Sequence, residues 1–258
     1  MAAVDVAHTV TGSGPAVYMA HGIGSRKEMW QPIIDGLSDR FTCVAYDQRG
    51  HGQSPVTDVP FGLDDLIDDL EALRQTLGHD RIHVIGHSLG GQIGPRYAQR
   101  FPSSTASVVL LSTAAGRTDE DRRKLAAVIQ RMRDEGIDQV LPALCDRWFT
   151  PEFAQANPDA IDRRIAQVLG TPAEQFLCVF DIYGDTEMAP WLHEVEAPCL
   201  VLTGEHDPGC SPRHNEFIHG ELPNSELVIL DELRHSIIVE APDRVIGPVR
   251  EFLLRQIG

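Results

Sequence analysis

The pentapeptide Gly86-His87-Ser88-Leu89-Gly90 is the strongest chemical signal in the chain. Alone it means little, because Gly and Ser are abundant and such a run recurs by chance. Its setting gives it weight. It follows the apolar run Ile82-His83-Val84-Ile85 and precedes a helical segment from Gln92 to Phe101. A strand, a tight turn and a helix in that order hold a serine hydroxyl out at the strand's end. The glycines allow the sharp turn, and the helix N-terminus aims free N–H groups at Ser88. The competing reading is a glycine-rich turn with Ser88 as a plain helix cap. A nucleotide site is disfavoured, because no six-residue glycine pattern and no P-loop lysine are present.

A serine hydroxyl is a weak nucleophile near neutral pH and needs a base, itself oriented by an acid. For a serine on such a turn the acid and then the base follow in chain order. Gly204-Glu205-His206-Asp207-Pro208-Gly209 follows one strand-like run, and Asp231-Glu232-Leu233-Arg234-His235-Ser236 follows the next. Asp207 is assigned as the acid and His235 as the base, with Glu205 and Asp231 as the nearest substitutes for the acid. Ser112-Thr113-Ala114-Ala115-Gly116 offers no carboxylate. The chain has 11 histidines, so a lone one carries little weight. His206 reads as a packing or solvent residue, and His214 and His219 fall on a surface helix. His51 reads as part of a structural turn, and His87 as packing against the sheet.

Acyl chemistry also needs two donors aimed at the developing oxyanion. The N–H of Leu89 is one, and the N–H of Ile23, in His21-Gly22-Ile23-Gly24, is the other. Candidate substrate-binding residues are Arg26, Trp30, Arg147, Trp148 and Phe176. Arg26 follows the oxyanion loop and could hold a substrate carboxylate. No metal or organic cofactor is called for.

Six apolar runs must carry these loops: Ala16–Ala20, Phe41–Tyr46, Arg81–Ile85, Ser107–Leu111, Cys199–Thr203 and Glu226–Leu230. Their length and two-sided apolarity suit parallel strands covered by helices. Between them, Leu66, Ile67, Leu70, Leu73 and Leu77 repeat at helical spacing over Leu63–Leu77, with Gly78 as the stop. Val245–Ile257 forms a closing helix. Pro95 lies inside the helix after Ser88, where it removes a backbone hydrogen bond and should kink the axis. Residues 117–192 break the alternation, with helical patterns, aromatic residues and no strand. A structureless loop that long is uncommon. It reads as a helical cap inserted after the fourth strand, over an α/β core of residues 1–116 and 193–258.

Composition agrees with a globular enzyme. The 258 residues are 42% hydrophobic and 23% charged, with a formal net charge of -16. That charge repels nucleic acid and anionic membranes, so the expected partner is a small-molecule substrate. The five cysteines show no disulfide or zinc spacing. Without a signal peptide or an apolar span, a cytoplasmic location is expected. A homo-oligomer is compatible with the sequence.

His21-Gly22, Asp47-Gln48-Arg49-Gly50-His51-Gly52-Gln53-Ser54, Gly86-His87-Ser88-Leu89-Gly90-Gly91 and Gly204-Glu205-His206-Asp207 together resemble the α/β-hydrolase superfamily, over nearly the whole chain. Within it, Met29-Trp30, Arg147-Trp148-Phe149-Thr150-Pro151-Glu152-Phe153 and the stretch from Thr171 to the fifth strand resemble the 3-oxoadipate enol-lactonases. His21-Gly22 and His87 resemble the forms common in general esterases and carbon–carbon bond hydrolases. The resemblance implies the α/β-hydrolase fold and a serine hydrolase of small esters or lactones. Two alternatives are a carbon–carbon bond hydrolase of a ring-cleavage dienoate and a non-catalytic ligand receptor on a hydrolase core.

Overall fold

In a computed structural model describing residues 1–257, seven strands hydrogen-bond in the order β1-β3-β2-β4-β5-β6-β7. They are β1 (His8–Thr11), β2 (Ala16–Ala20), β3 (Thr42–Tyr46), β4 (Ile82–His87), β5 (Thr105–Leu111), β6 (Cys199–Gly204) and β7 (Ser225–Leu230). β1 pairs antiparallel with β3, and every other neighbouring pair is parallel. β2, β4 and β6 are buried at every residue, as strands covered on both faces must be. Along β2, Tyr18 packs into one core while Val17 and Met19 pack into the other.

The sequence reading omits β1. Its four residues, His-Thr-Val-Thr, are mostly exposed at the sheet edge, so they carry no apolar run. β4 runs two residues beyond Ile85, through Gly86 and His87, and so ends directly before Ser88.

The helices are α1 (Gln31–Leu37), α2 (Leu63–Leu77), α3 (Gly90–Arg100), α4 (Asp119–Glu135), α5 (Ile137–Trp148), α6 (Pro151–Ala156), α7 (Pro158–Leu169), α8 (Ala173–Asp185), α9 (Pro212–Glu221), α10 (Ile237–Glu240) and α11 (Pro242–Arg255). α2 has the expected bounds, with Leu66, Ile67, Leu70 and Leu73 buried and Gly78 left-handed at its end. α3 continues through Pro95 to Arg100. The stretch between β5 and β6 holds α4–α8 and no strand. No helix among the described residues is long and apolar enough to cross a membrane.

Candidate active site

Ser88 occupies the turn between β4 and α3 with a φ of 56°, a left-handed conformation that few non-glycine residues adopt. The neighbours hold it there. Its N–H donates to the carbonyl of Leu111 (2.9 Å), and its carbonyl accepts from Gly91 N–H (2.9 Å) and the Thr113 hydroxyl (2.9 Å). The flanking glycines are forced by close approach. A Cβ on Gly86 would collide with the Gly90 carbonyl, and one on Gly90 with the carbonyl of Ala20. Strain at a serine that packing over-determines in this way marks functional sites.

The loops after β6 and β7 bring Asp207 and His235 together. His235 Nδ1–H donates to Asp207 Oδ2 at 2.7 Å. The other oxygen, Oδ1, accepts from Gly209 N–H (2.9 Å) and Cys210 N–H (2.8 Å), so the carboxylate is aimed by its own loop. Burial works against ionising Asp207, but His235 and these N–H groups outweigh it and hold its pKa below the usual carboxylate range. Burial likewise disfavours the His235 imidazolium, and the Asp207 carboxylate outweighs it, lifting His235 to about 10. Glu205 and Asp231, the substitutes for the acid, are exposed and do not bond His235.

The loop from His21 to Lys27 rests on a buried polar layer. His21 Nδ1–H donates to the Gly22 carbonyl (2.8 Å), and its Nε2 accepts from Gln48 N–H (3.0 Å). His51 Nδ1–H donates to the Arg49 carbonyl (3.1 Å), leaving Nε2 to accept from Gly24 N–H (3.1 Å). Burial drives both rings to the neutral form, with pKa values of about 4 and about 3. Asp47 accepts from Lys27 Nζ (2.8 Å), Lys27 N–H (2.7 Å) and Gln53 N–H (3.0 Å). The segment Asp47–Ser54 is therefore a scaffold under the loop, and His51 is its direct strut. Among the described residues, no acceptor in the protein engages the backbone N–H of Ile23 or of Leu89.

Ser88, Asp207 and His235 line one cavity of about 780 Å³, a volume suited to a small ligand. Ile23, Arg147 and Trp148 line it too. Four residues stand elsewhere than the sequence suggests. Trp30 is fully buried in a core cluster between the sheet and α11, and Phe176 is fully buried against Gly24, whose added Cβ would lie 2.7 Å from the ring. Arg26 runs to the Gly170 end of α7 and does not line the cavity. His214, expected on a surface, is buried on α9 with Nδ1 3.1 Å from Ser211 Oγ.

An alpha/beta hydrolase fold model matches residues 15–150. The chain belongs to the α/β-hydrolase family and is a hydrolase. It is 28% identical over 228 residues to 3-oxoadipate enol-lactonase 2 of Acinetobacter baylyi, covering 88% of this chain and 84% of that one. The enol-lactonase structure from Burkholderia xenovorans superposes with a TM-score of 0.91 at 24% identity, over 97% of both chains. A thermophilic esterase from Thermogutta terrifontis with malate bound superposes with a TM-score of 0.89 at 26% identity, over 98% of this chain and 94% of that one.

Several contacts of this hydrolase site are not evident from the sequence. His87 does more than pack. Its Nε2–H donates to the backbone carbonyl of His235 at 3.0 Å. Gly22 makes room for it, since a Cβ there would lie 3.2 Å from His87 Nδ1 and 3.1 Å from the Ser88 Cβ. Arg164 of α7 lines the cavity, donates to the carbonyls of Ile23 (2.8 Å) and Gly24 (2.5 Å), and stacks on Trp148 with 4.6 Å to the ring centroid. Burial lowers its pKa to about 10, and no carboxylate pairs with it among the described residues. Arg117 stacks on Tyr183 with 4.5 Å to the centroid, and Cys210 Sγ lies 3.0 Å from the Tyr183 hydroxyl.

Proposed function

We propose that this hydrolase cleaves a small ester or lactone that carries a carboxylate. The observation that carries the reading is the 2.7 Å bond between His235 Nδ1 and Asp207 Oδ2 on the wall of the cavity that also exposes Ser88. With Nδ1–H given to Asp207, Nε2 of neutral His235 is the nitrogen left to take the Ser88 proton. Ser88 Oγ attacks the carbonyl carbon, and the unengaged N–H groups of Ile23 and Leu89 receive the oxyanion. His235 returns the proton to the leaving oxygen, and water deprotonated by the same imidazole releases the acyl group from Ser88. Asp207 keeps the ring in the required tautomer. In this reading α4–α8 form a cap over the site.

The carboxylate follows from charge. The chain has 22 basic and 38 acidic residues, yet the cavity lining inverts that balance. Arg117, Lys124, Arg131, Arg147, Arg163 and Arg164 line it, against Glu28, Asp121 and Asp207. Such a cavity concentrates anions inside an acidic protein. Arg164 is the leading partner for the carboxylate, because it faces the cavity with no acid of its own. The names of the similar proteins, an oxoadipate lactonase and a malate-bound esterase, support the same class.

A panel of carboxylate-bearing esters, lactones and ring-cleavage dienoates, run on wild type and Ser88→Ala, tests the reading. Esters or lactones should turn over, and Ser88→Ala should lose at least about 10⁴-fold of that rate while melting as wild type does. Turnover confined to dienoates would move the chemistry to carbon–carbon bond hydrolysis, whose enzymes share the His21-Gly22 and His87 forms with general esterases. Undiminished turnover in Ser88→Ala would overturn the mechanism.

A further inference from the structure

Asp207 and His235 have a third reactive neighbour that the hydrolytic mechanism does not use. A carboxylate oxygen of Asp207, the Sγ of Cys210 and a ring nitrogen of His235 all lie within 4.8 Å of one another. All three residues line the cavity, so a dissolved ion reaches them by the substrate's route. We propose that these three side chains form a binding site for a thiophilic divalent cation of the zinc type, whose occupancy switches the hydrolase off.

The donor set selects the ion. One thiolate, one imidazole and one carboxylate match zinc and its neighbours, whereas magnesium and calcium prefer oxygen alone. Zinc bond lengths of about 2.0–2.3 Å put tetrahedral ligands about 3.3–3.8 Å apart, a spacing inside the 4.8 Å that bounds the three donor atoms. Two ligands are already fixed by the loop after β6. Gly209 and Cys210 N–H groups hold Asp207 Oδ1, and the Cys210 carbonyl accepts from the Thr203 hydroxyl (2.9 Å) and Asn215 Nδ2 (2.9 Å). Tyr183 lines the same cavity, with its hydroxyl 3.0 Å from Sγ. Two cations flank the site: Arg117 stacks on Tyr183 and donates from Nη1 to the Thr186 carbonyl (2.8 Å), and Arg147 Nη2 donates to the Pro208 carbonyl (3.3 Å).

The consequence for activity is direct. Zinc bound here displaces the thiol proton of Cys210 and takes up both the imidazole and the carboxylate. The base can then neither accept the Ser88 proton nor keep its orienting partner. The cation is thus an inhibitor at this site, released by chelation. This effect on activity rests on the proposed triad; the binding itself does not.

Two measurements on the full chain test the proposal. Ester hydrolysis is followed with ZnCl2 and with MgCl2, each variant being scaled to its own metal-free rate. Zinc should inhibit wild type and EDTA should restore it, with magnesium inert. In Cys210→Ala the half-inhibiting zinc concentration should rise by about tenfold or more. Titration with CoCl2 gives a readout independent of turnover, because a sulfur-to-cobalt charge-transfer band should appear in wild type and vanish in Cys210→Ala. Cys210→Ser serves the same purpose if the alanine variant fails to fold. Equal zinc inhibition in wild type and variant, or no cobalt band in wild type, overturns the site. A Cys210-dependent band in a protein that turns over none of the esters retains the site and removes the proposed reaction.

Discussion

His87 and His235, 148 residues apart, are joined by a hydrogen bond from His87 Nε2–H to the His235 carbonyl at 3.0 Å, with ring centroids 4.9 Å apart. The residue before Ser88 thus anchors the backbone of the loop that carries His235, the proposed base. Burial and the nearby His235 charge keep His87 neutral, with a pKa of about 3, and outweigh the acceptor carbonyl, which favours the protonated ring. His87→Leu should therefore loosen the placement of the proposed base. A misplacement of about 1 Å costs about 10²-fold in rate, so kcat should fall by about 10–100-fold with KM little changed. His87→Gln, which can still donate an N–H, should recover most of the loss. Equal damage from both variants, or an effect on KM alone, would contradict the positioning role.

The pH profile should report the Asp207–His235 pair. A base acts only when deprotonated, and the Asp207 carboxylate holds His235 protonated up to about 10. Above neutrality log kcat/KM should therefore climb with a slope of about one toward that value. Stability carries the opposite sign. The pair's contribution is fully present below the unfolded histidine pKa of about 6.5 and is lost as pH rises through the folded value. Asp207→Asn leaves burial to dominate, so the climb should shift to lower pH while turnover falls by about 10⁴-fold. An unshifted profile in Asp207→Asn would count against the assignment of His235 as the titrating base.

Much of this was legible in the chain, for physical reasons that also explain the gaps. Buried parallel strands have to be apolar on both faces, so six of the seven stand out in the sequence; β1, exposed at the edge, does not. The glycines around Ser88 stand out because collisions with Gly90 and Ala20 backbone enforce them. Side-chain direction was not legible. Trp30 and Phe176 are aromatic residues near the site in sequence pattern, and both turn into the core. Arg164 did leave a signal, because it interrupts the apolar face of α7 formed by Ile161, Ile165 and Val168. A cation on such a face needs a polar destination, here the carbonyls of Ile23 and Gly24.

Charge in the cavity should make the preference for the proposed anionic substrate sensitive to salt. An ester with a free carboxylate should be hydrolysed with higher kcat/KM than its neutral methyl ester. The ratio should shrink as ionic strength rises, because the Debye length falls from about 10 Å at 0.1 M to about 3 Å at 1 M. Arg164→Met should abolish most of the ratio, and Arg164→Lys should restore it only in part, since an ammonium cannot serve two carbonyls and stack on Trp148 with a planar fork. A ratio that ignores both salt and Arg164 would remove the anionic substrate class.

The buried pair Lys27–Asp47 supports the loop that presents Ile23, and its removal should show in stability before activity. Asp47 is fully buried and Lys27 nearly so, with Nζ 2.8 Å from Oδ2 and 2.8 Å from Gln53 Oε1. Burial opposes the charge on Asp47, yet Gln53 N–H and Lys27 hold its pKa below the usual range. Its stabilisation is thus present above the unfolded carboxylate pKa and is lost as pH falls through the lower folded value. Asp47→Ala leaves the Lys27 ammonium only the exposed Glu28 carboxylate (3.2 Å) and Gln53, and strands two backbone donors, which should cost about 3 kcal/mol or more. For a chain of this size that is a fall in Tm of roughly 6–20 °C. Lys27→Met with Asp47→Leu removes both charges and should be less damaging than Asp47→Ala alone, because no unpaired buried ion remains. Thermal melts of the two variants at pH 7 decide the matter. If the double variant is the less stable, the cost lies in the lost donors and packing, and the pair itself is not what holds the loop.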